Sequence, residues 1–597
     1  MCEIQIDNAA LENSEENDGA EKFGDIQDEV EELSFRLKIV NFPKFLKYPQ
    51  VKQFLESNLK GMSWRKLKAV PGVAYFSMTS DEDTVKAVEA INKMPYKGKV
   101  LEIKRVANEK ERVSRKSNPE EKKLKTAAEI TTPYSHLDYD KQLEMKLEEC
   151  KKTAVSFIRQ LKDAHASGAK YLKTDSLVRP IIRSPVLTNY RNKCEFTIGK
   201  DCNGEVCVGF VSGRMAEREI VVVPPFDSVI LTENTYAIVR KFTEYVRKSD
   251  LEVFDEFQRQ GFWKMLTVRD FVGDCMLIFT THSVDPENLK KVQADIIDLF
   301  INFGDVTDSL STRVTSIYWQ ILENASDPII YTHLAGVPYL YETVLGVRFR
   351  VSPATFFQTN SRGAEVLYET IGSALGLPKA EEDKAQPLVI KYDEAKDSEV
   401  PEAKKHKGEK TVEEEESGIS PNKPIIVLDI CCGAGTIGQC LLRRMERGFI
   451  EQSHKFLCVG VELINQAVKD ARVNALDNGF GDHNCRYLSG QAEVIFPALQ
   501  NHLPQDIKLE ESEVVGVLDP PRAGITSKVI ISCRKLESLN KLVYVSCDPK
   551  AALKNVVDLC RPTSKKYEGD PFKVQFIQPV DMFPQTSHFE WIILLTR

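Results

Sequence analysis

The apolar positions of this chain follow two periods, and the places where neither holds mark its joints. From 35 to 107, FRLKIVNF alternates as a strand does, PQVKQFLESNL carries helical spacing, WRKLKAV and GVAYFSM read as strands, DTVKAVEAINKM as a helix and LEIKRV as a strand. The predicted order is βαββαβ. Leu143, Leu147, Cys150, Ala154, Phe157 or Ile158, and Leu161 recur at steps of three and four, which predicts an amphipathic helix within 136–179 that packs on the domain after it. Short strand-like runs mixed with helices fill 180–350. Beyond Pro424 the pattern changes to apolar strands (PIIVLDI, FLCVGVE, VVGVLD, KLVYVS) separated by helical stretches such as NQAVKDARVNALDNG, the alternation of an open α/β sheet. Two segments, 1–34 and 378–423, have no sustained period and little apolar content, so burial there cannot offset the entropy of ordering; both are expected to be disordered, the second as an insertion.

Length supports this division, because 597 residues exceed what a single core holds. The domains expected are an acidic tail (1–34), a βαββαβ domain (35–107), a basic linker (108–135), the helical segment (136–179), a central mixed α+β domain (180–350) and a Rossmann-like α/β domain (351–597). No apolar run is long enough to cross a bilayer, and the acidic start lacks the features of a secretory or transit peptide, which predicts no membrane association and a cytosolic or nuclear location. The 14 cysteines are scattered without C-x-x-C pairs; Cys202 and Cys207 lie close together but have no second pair at ligand spacing, so neither a metal nor an iron–sulfur cluster is expected.

Charge alters the picture once it is divided. The net charge of −8 includes −11 from residues 1–34 and −6 from 381–417, which leaves +9 on everything else. The folded remainder is compatible with a polyanionic partner. Residues 104–125 carry nine Lys or Arg against four Glu, and Tyr190, Arg191, Asn192 and Lys193 are clustered in the central domain, where they read either as an RNA-facing strand edge or as a solvated rim.

The candidate chemistry lies at the predicted strand ends. Asp429, Gly433 and Gly435 give the D-x-x-x-G-x-G spacing that resembles class I methyltransferases, in a strand, turn and helix start where backbone N–H groups meet a ligand. Glu462 ends the second strand, where an acid accepts from ribose hydroxyls, and Asp519 ends the third, followed by Pro520, Pro521 and Arg522. Methyltransferases that act on exocyclic amines commonly have an aromatic residue where Arg522 stands, which directs attention to a ring carbon. Carbon 5 of uracil is too weak a nucleophile unless a thiolate first adds at carbon 6. Cys547, at the end of the fourth strand and before Asp548 and Pro549, is placed for that addition, and Glu590 at the start of the last strand is placed to remove the carbon 5 proton. His588 is read as structural or substrate-orienting.

In the order FFQTN, LDICCGAGT, GVE, LDPPRAG, YVSCDP, MFPQTSHFE, the segments from about 135 to 597 resemble the RNA uracil-5-methyltransferase family. The resemblance implies a class I S-adenosylmethionine methyltransferase fold, Cys547 as nucleophile and Glu590 as proton acceptor. It places Gln358, Cys431, Gly433, Glu462 and Asp519 at S-adenosylmethionine. It implies an RNA substrate, with uridine 54 of the tRNA T loop expected and flipped out of its stack. The 35–107 region resembles a ferredoxin-like RNA-recognition motif, with LKIVNF at 37–42 and PGVAYFSM at 71–78; Lys38 and Val73 stand at two of the usual aromatic sites, and only Tyr75 is retained. Cys431 and Thr436 differ from the aromatic residue and asparagine of bacterial members. Alternatives are the same chemistry on ribosomal or other RNA, a non-catalytic RNA-binding chaperone, and a DNA cytosine methyltransferase, which normally has its cysteine in Pro-Cys.

Overall fold

The computed structural model describes residues 35–43, 48–70, 72–106, 124–213, 220–301, 312–324, 326–380, 423–448 and 454–597. The acidic tail, nearly all of the 378–423 insertion and much of the basic linker lie outside them. The chain divides into two compact units, 1–123 and 124–597.

In the first unit, β1 (Arg36–Val40), α1 (Tyr48–Asn58), β2 (Trp64–Val70), β3 (Val73–Met78), α2 (Asp81–Ile91) and β4 (Glu102–Arg105) follow the expected βαββαβ order. They make a four-stranded sheet in the order β2-β3-β1-β4. Period-two alternation sends Leu37, Ile39, Ala74, Phe76 and Ile103 into a core with Val51, Phe54 and Ala87 of the helices. Ser80 caps α2 by accepting from the Asp83 N–H, and three acids in its first turn favour the positive end of the helix.

After a short helix at Ala127–Thr131, the second unit has α3 (Tyr139–Asp163), whose buried stripe includes Leu143, Cys150, Ala154, Phe157, Ile158 and Leu161 as expected, but also Gln142 and Lys146. The central region forms a seven-stranded mixed sheet from β5 (Lys193–Lys200), β6 (Val206–Ser212), β7 (Val221–Val223), β8 (Trp263–Asp270), β9 (Cys275–Thr281), β10 (Ser316–Ile321) and β11 (Thr332–Gly336), in the order β11-β10-β9-β8-β5-β6-β7. Helices α4 (Glu233–Arg247) and α5 (Pro286–Phe300) contribute Ile238, Phe242, Ile296 and Phe300 to its core. A hairpin, β12 (Leu340–Val344) with β13 (Val347–Val351), leads to α6 (Ser361–Leu375).

The last sheet is built from β14 (Ile425–Ile430), α7 (Thr436–Gly448), β15 (Phe456–Glu462), α8 (Asn465–Asp477), β16 (Cys485–Ser489), β17 (Glu513–Leu518), α9 (Ser527–Lys535), β18 (Leu539–Ser546), α10 (Pro549–Cys560), β19 (Lys573–Val580) and β20 (Glu590–Thr596). Its order is β16-β15-β14-β17-β18-β20-β19, parallel except that β20 runs antiparallel between β18 and β19. Helices cover both faces, which is why β14 is buried throughout: Ile426, Leu428 and Ile430 face α3 and α10, while Ile425 and Val427 face α6 and α7. Strand order reverses between β14 and β17, and the crevice at the carboxyl ends there is where such sheets bind ligands. Among the described residues no helix is long and apolar enough to span a membrane.

Candidate functional site

The turn after β14 is tightly wound. Cys431 (φ 65°), Gly433 (φ 53°) and Gly435 (φ 78°) all take left-handed backbone, so three of five consecutive residues occupy a region that costs any residue with a Cβ. At Gly435 a side chain is also sterically excluded, since a Cβ would fall 2.3 Å from the Tyr487 hydroxyl; at Gly433 it would meet nothing within 4 Å. The second glycine therefore serves packing, and the first leaves the main chain open to an approaching ligand.

Three acids surround this turn. Asp429 is buried, with Oδ2 accepting from the Gly438 N–H at 2.9 Å and Oδ1 left without a partner. Burial, with Asp519 and Glu462 adding to it, pushes its carboxyl up to about 7. Glu462 joins two strand ends, its Oε2 accepting from Gly433 N–H (3.1 Å) and its Oε1 from Ile464 N–H (2.9 Å). Beside it Leu463 and Ile464 are 66% and 62% exposed, an apolar surface next to a carboxylate at the mouth of the crevice. Burial lifts Asp519 to about 6. The Cys431 thiol is pushed up to about 12 by burial and by Glu462, Asp519 and Asp429.

Asp519 also belongs to a second cluster. The last pairing of β18 with β20 joins Ser546 to Trp591, so Cys547 and Glu590 are the next residues along two adjacent antiparallel strands. Cys547 lines a small cavity with Pro521, Arg522, Gly524, Tyr544 and Ser546. The loop bearing Arg522 is fixed from below by Asn555 of α10, which accepts from the Ile525 N–H and donates to the Ile525 carbonyl, both at 3.0 Å. Asp548 caps α10 through the N–H groups of Lys550 and Ala551, and Pro549 takes the first helical position, which ends the strand at the thiol. Burial, then Glu590, pushes the Cys547 thiol up to about 11, and the Arg522 guanidinium donating to the sulfur opposes them. Glu590 is itself buried and held well above the usual carboxylate range by desolvation and by Asp519, again opposed by Arg522. The pair is thus a neutral thiol beside a carboxyl of high proton affinity, with one guanidinium that acts on both and favours the thiolate.

Gln358 comes from outside the sheet. Its carbonyl accepts from the Asn192 side chain, Thr359's carbonyl from the Asn192 N–H, and Asn360 caps α6 while donating to the Met582 carbonyl. Of the Tyr190–Lys193 cluster, read either as an RNA-facing edge or as a solvated rim, Tyr190 and Asn192 fit neither, being buried and bonded inward, while the half-buried Lys193 pairs with Glu195. Sequence reasoning noticed Arg522 only as a missing aromatic, and it passed over Gln142 and Lys146, whose signal was two polar residues on an apolar helical face.

The family model for tRNA (Uracil-5-)-methyltransferase matches residues 426–597. The chain is 30% identical over 582 residues to the human tRNA (uracil-5-)-methyltransferase homolog A, spanning 94% of this chain and 83% of the relative. It is 32% identical over 487 residues to human tRNA (uracil-5-)-methyltransferase homolog B, spanning 79% and 83%. Among solved structures, that of the Pyrococcus abyssi tRNA (uracil-54, C5)-methyltransferase in complex with S-adenosyl-L-homocysteine aligns with 85% of this chain and 92% of its own, at 18% identity and a TM-score of 0.49.

Proposed function

Because the chain belongs to the tRNA (uracil-5-)-methyltransferase family, we propose that it transfers a methyl group from S-adenosylmethionine to carbon 5 of a uridine in tRNA, at position 54 of the T loop, using Cys547 and Glu590. The observation that carries the reading is the juxtaposition of those two residues on neighbouring strands, with Asp519 shared between them and the glycine turn.

The residues around the turn suit the cofactor. The orphaned Asp429 Oδ1, the open space at Gly433 and a carboxylate flanked by exposed Leu463 and Ile464 match a ligand with a charged end, two ribose hydroxyls and a flat base. Glu462 would hold the ribose, Gly433 and Cys431 the chain, and Asp519 and Gln358 the end nearer the reaction. Bound there, S-adenosylmethionine supplies an electrophilic methyl group.

The protein's own part is to activate the base. Cys547 gives its proton to solvent and Arg522 stabilises the thiolate left behind, whose sulfur bonds to carbon 6 while the carbon 5–carbon 6 π pair moves to carbon 5 and the carbonyl oxygen at position 4. Once carbon 5 carries the methyl group, Glu590, having lost its own proton to solvent before the site is filled, takes the carbon 5 proton as a carboxylate; the carbon 5–carbon 6 double bond re-forms and the sulfur leaves with its electron pair. A base with high proton affinity suits that abstraction, and closure of the site over a flipped uracil excludes water from it.

We also assign the open face of the first unit's sheet to RNA. Lys68, Tyr75, Lys38 and Lys104 form one row across its four strands, and Arg36 and Lys38 lie 5.9 and 5.7 Å from the Tyr75 ring centroid. Like charges directly opposite each other, as Lys38 and Lys104 are, destabilise a bare sheet, and a phosphate backbone relieves that.

The experiment is to incubate the protein, and Cys547→Ala beside it, with labelled S-adenosylmethionine and, in parallel, unmodified tRNA and ribosomal RNA, and to map the product by mass spectrometry. Formation of 5-methyluridine at position 54 by the wild type alone supports the reading. Label at another uridine, or only in ribosomal RNA, replaces the target, and methylation by Cys547→Ala removes the nucleophile.

A further inference from the structure

Glu590 begins β20, and Val580 pairs with it at the end of β19, so residues 581–589 form the connection that sets where the carboxyl points. A connection of that kind ordinarily lies on the surface and moves. Here its first part, 581–586, is buried apart from the half-buried Phe583, and only Ser587 and His588 are exposed. Four consecutive carbonyls accept from four different parts of the fold: Met582 from Asn360 Nδ2 (2.9 Å), Phe583 from Lys146 Nζ (2.9 Å), Pro584 from the Tyr190 hydroxyl (2.9 Å) and Gln585 from the Tyr134 N–H (3.0 Å).

Three side chains of α3 provide side-chain ties to this connection. Lys146 Nζ lies 2.7 Å from Asp581 Oδ1, and both side chains are wholly inaccessible to solvent. Tyr139 donates to the other Asp581 oxygen at 3.0 Å. One turn before Lys146, Gln142 donates to Gln585 Oε1 (2.9 Å) and accepts from the Gln585 N–H (2.8 Å). Gln585 has φ 70°, a left-handed conformation that a residue with a long side chain keeps only when its surroundings hold it.

A buried ion pair contributes little net stability compared with an apolar pair of the same shape, since desolvating both charges offsets their attraction. It does fix direction. α3 already has an adequate apolar stripe, so packing alone does not require Lys146 and Gln142 there. Their partners lie nine and five residues before the proposed base, at the start and the middle of the connection that leads to it.

We infer that Lys146 and Gln142 are positioning residues for Glu590, acting through Asp581 and Gln585 so that its carboxyl meets the carbon 5 proton of the RNA adduct. The inference rests on the proposed reaction and makes residues 139–146, far from the motifs in sequence, a working part of its last step. It separates the two chemical residues: Cys547 directly follows β18 and is supported by Asp548 and α10, so sulfur addition does not depend on the clamp, whereas proton removal does.

The test uses the full chain, tRNA and S-adenosylmethionine, and reads the covalent protein–RNA adduct on denaturing gels beside turnover. Glu590→Gln is the reference and should accumulate adduct. Gln142→Leu, and the double variant Lys146→Met with Asp581→Asn, which leaves no unpaired buried charge, should lose about tenfold to a hundredfold in kcat, in line with the cost of a small misplacement. The KM for tRNA should be unchanged and adduct should accumulate as in the reference. Lys146→Arg should retain more turnover than the double variant. If both clamp variants turn over normally, or lose turnover without accumulating adduct, the clamp is only structural and the inference falls. If Glu590→Gln itself traps nothing while wild type methylates, the role of Glu590 falls first, and the positioning inference with it.

Discussion

Cys547 shows how far the resting site lies from its reactive state. Its thiol is lifted to about 11 by burial and by the neighbouring Glu590, so at neutral pH it is almost wholly protonated. Iodoacetamide labelling of Cys547, followed by peptide mass spectrometry, should therefore become about tenfold faster per pH unit well past pH 9, where an ordinary thiol levels off. Arg522→Ala removes the opposing cation and should slow labelling and methylation alike, by about tenfold or more. Asp429 supports a prediction about stability. Its folded carboxyl stands at about 7 against an ordinary 3.8, so the folded state binds the proton more tightly. The stability this contributes is complete below the ordinary value and is lost as pH rises through about 7. Asp429→Asn, whose oxygen can still accept from Gly438, should flatten the pH dependence of Tm between about pH 4 and pH 7 in the absence of cofactor; an unchanged slope would place the carboxyl's proton affinity near normal.

At the scale of elements, the turn between β14 and α7 separates folding from binding. Gly435→Ala forces a Cβ onto Tyr487 at positive φ, and should cost about 2–3 kcal/mol of stability as well as cofactor affinity. Gly433→Ala meets no neighbour, so only the left-handed backbone penalty of about 1–2 kcal/mol applies, while the added methyl projects into the space assigned to the ligand. Thermal unfolding and calorimetry with S-adenosylhomocysteine should show Gly433→Ala weak in binding but only mildly destabilised; equal losses in both assays for the two variants would refute the distinction. The helices and strands themselves were legible because each has a buried side and hence a period: β14, β15, β17 and β18 lie where apolar runs ended in Asp429, Glu462, Asp519 and Cys547. The segment 190–193 was not, because four polar residues in a row look alike whether they face solvent or bond inward, and Tyr190 and Asn192 do the latter.

For the whole molecule, the division at residue 123 makes the first unit separable in its effects. Reversing Lys38, Lys68 and Lys104 to Glu should leave the methylation chemistry of bound tRNA unchanged but weaken tRNA binding and lower the slope of log Kd against log salt by about two to three, one unit per lost phosphate contact. Binding and salt slope equal to wild type would remove that face from the RNA surface. Replacing Tyr75 with Leu should matter less, since Lys38 and Val73 stand where a base-stacking sheet has further aromatic rings. The amino-acid sequence determined on its own the α/β class, the βαββαβ unit, the strand-end acids and the cysteine that follows a strand, because each depends on local period or on neighbours a few residues away. Tertiary structure decided what depends on distant partners. It set Cys547 beside Glu590 across β18 and β20, gave Arg522 a thiol to hold, turned Tyr190 and Asn192 inward, and joined Lys146 to Asp581 across 435 residues of chain. A buried charge shows in a sequence only as a polar residue on an apolar face; its partner is selected by the fold that excludes water from both.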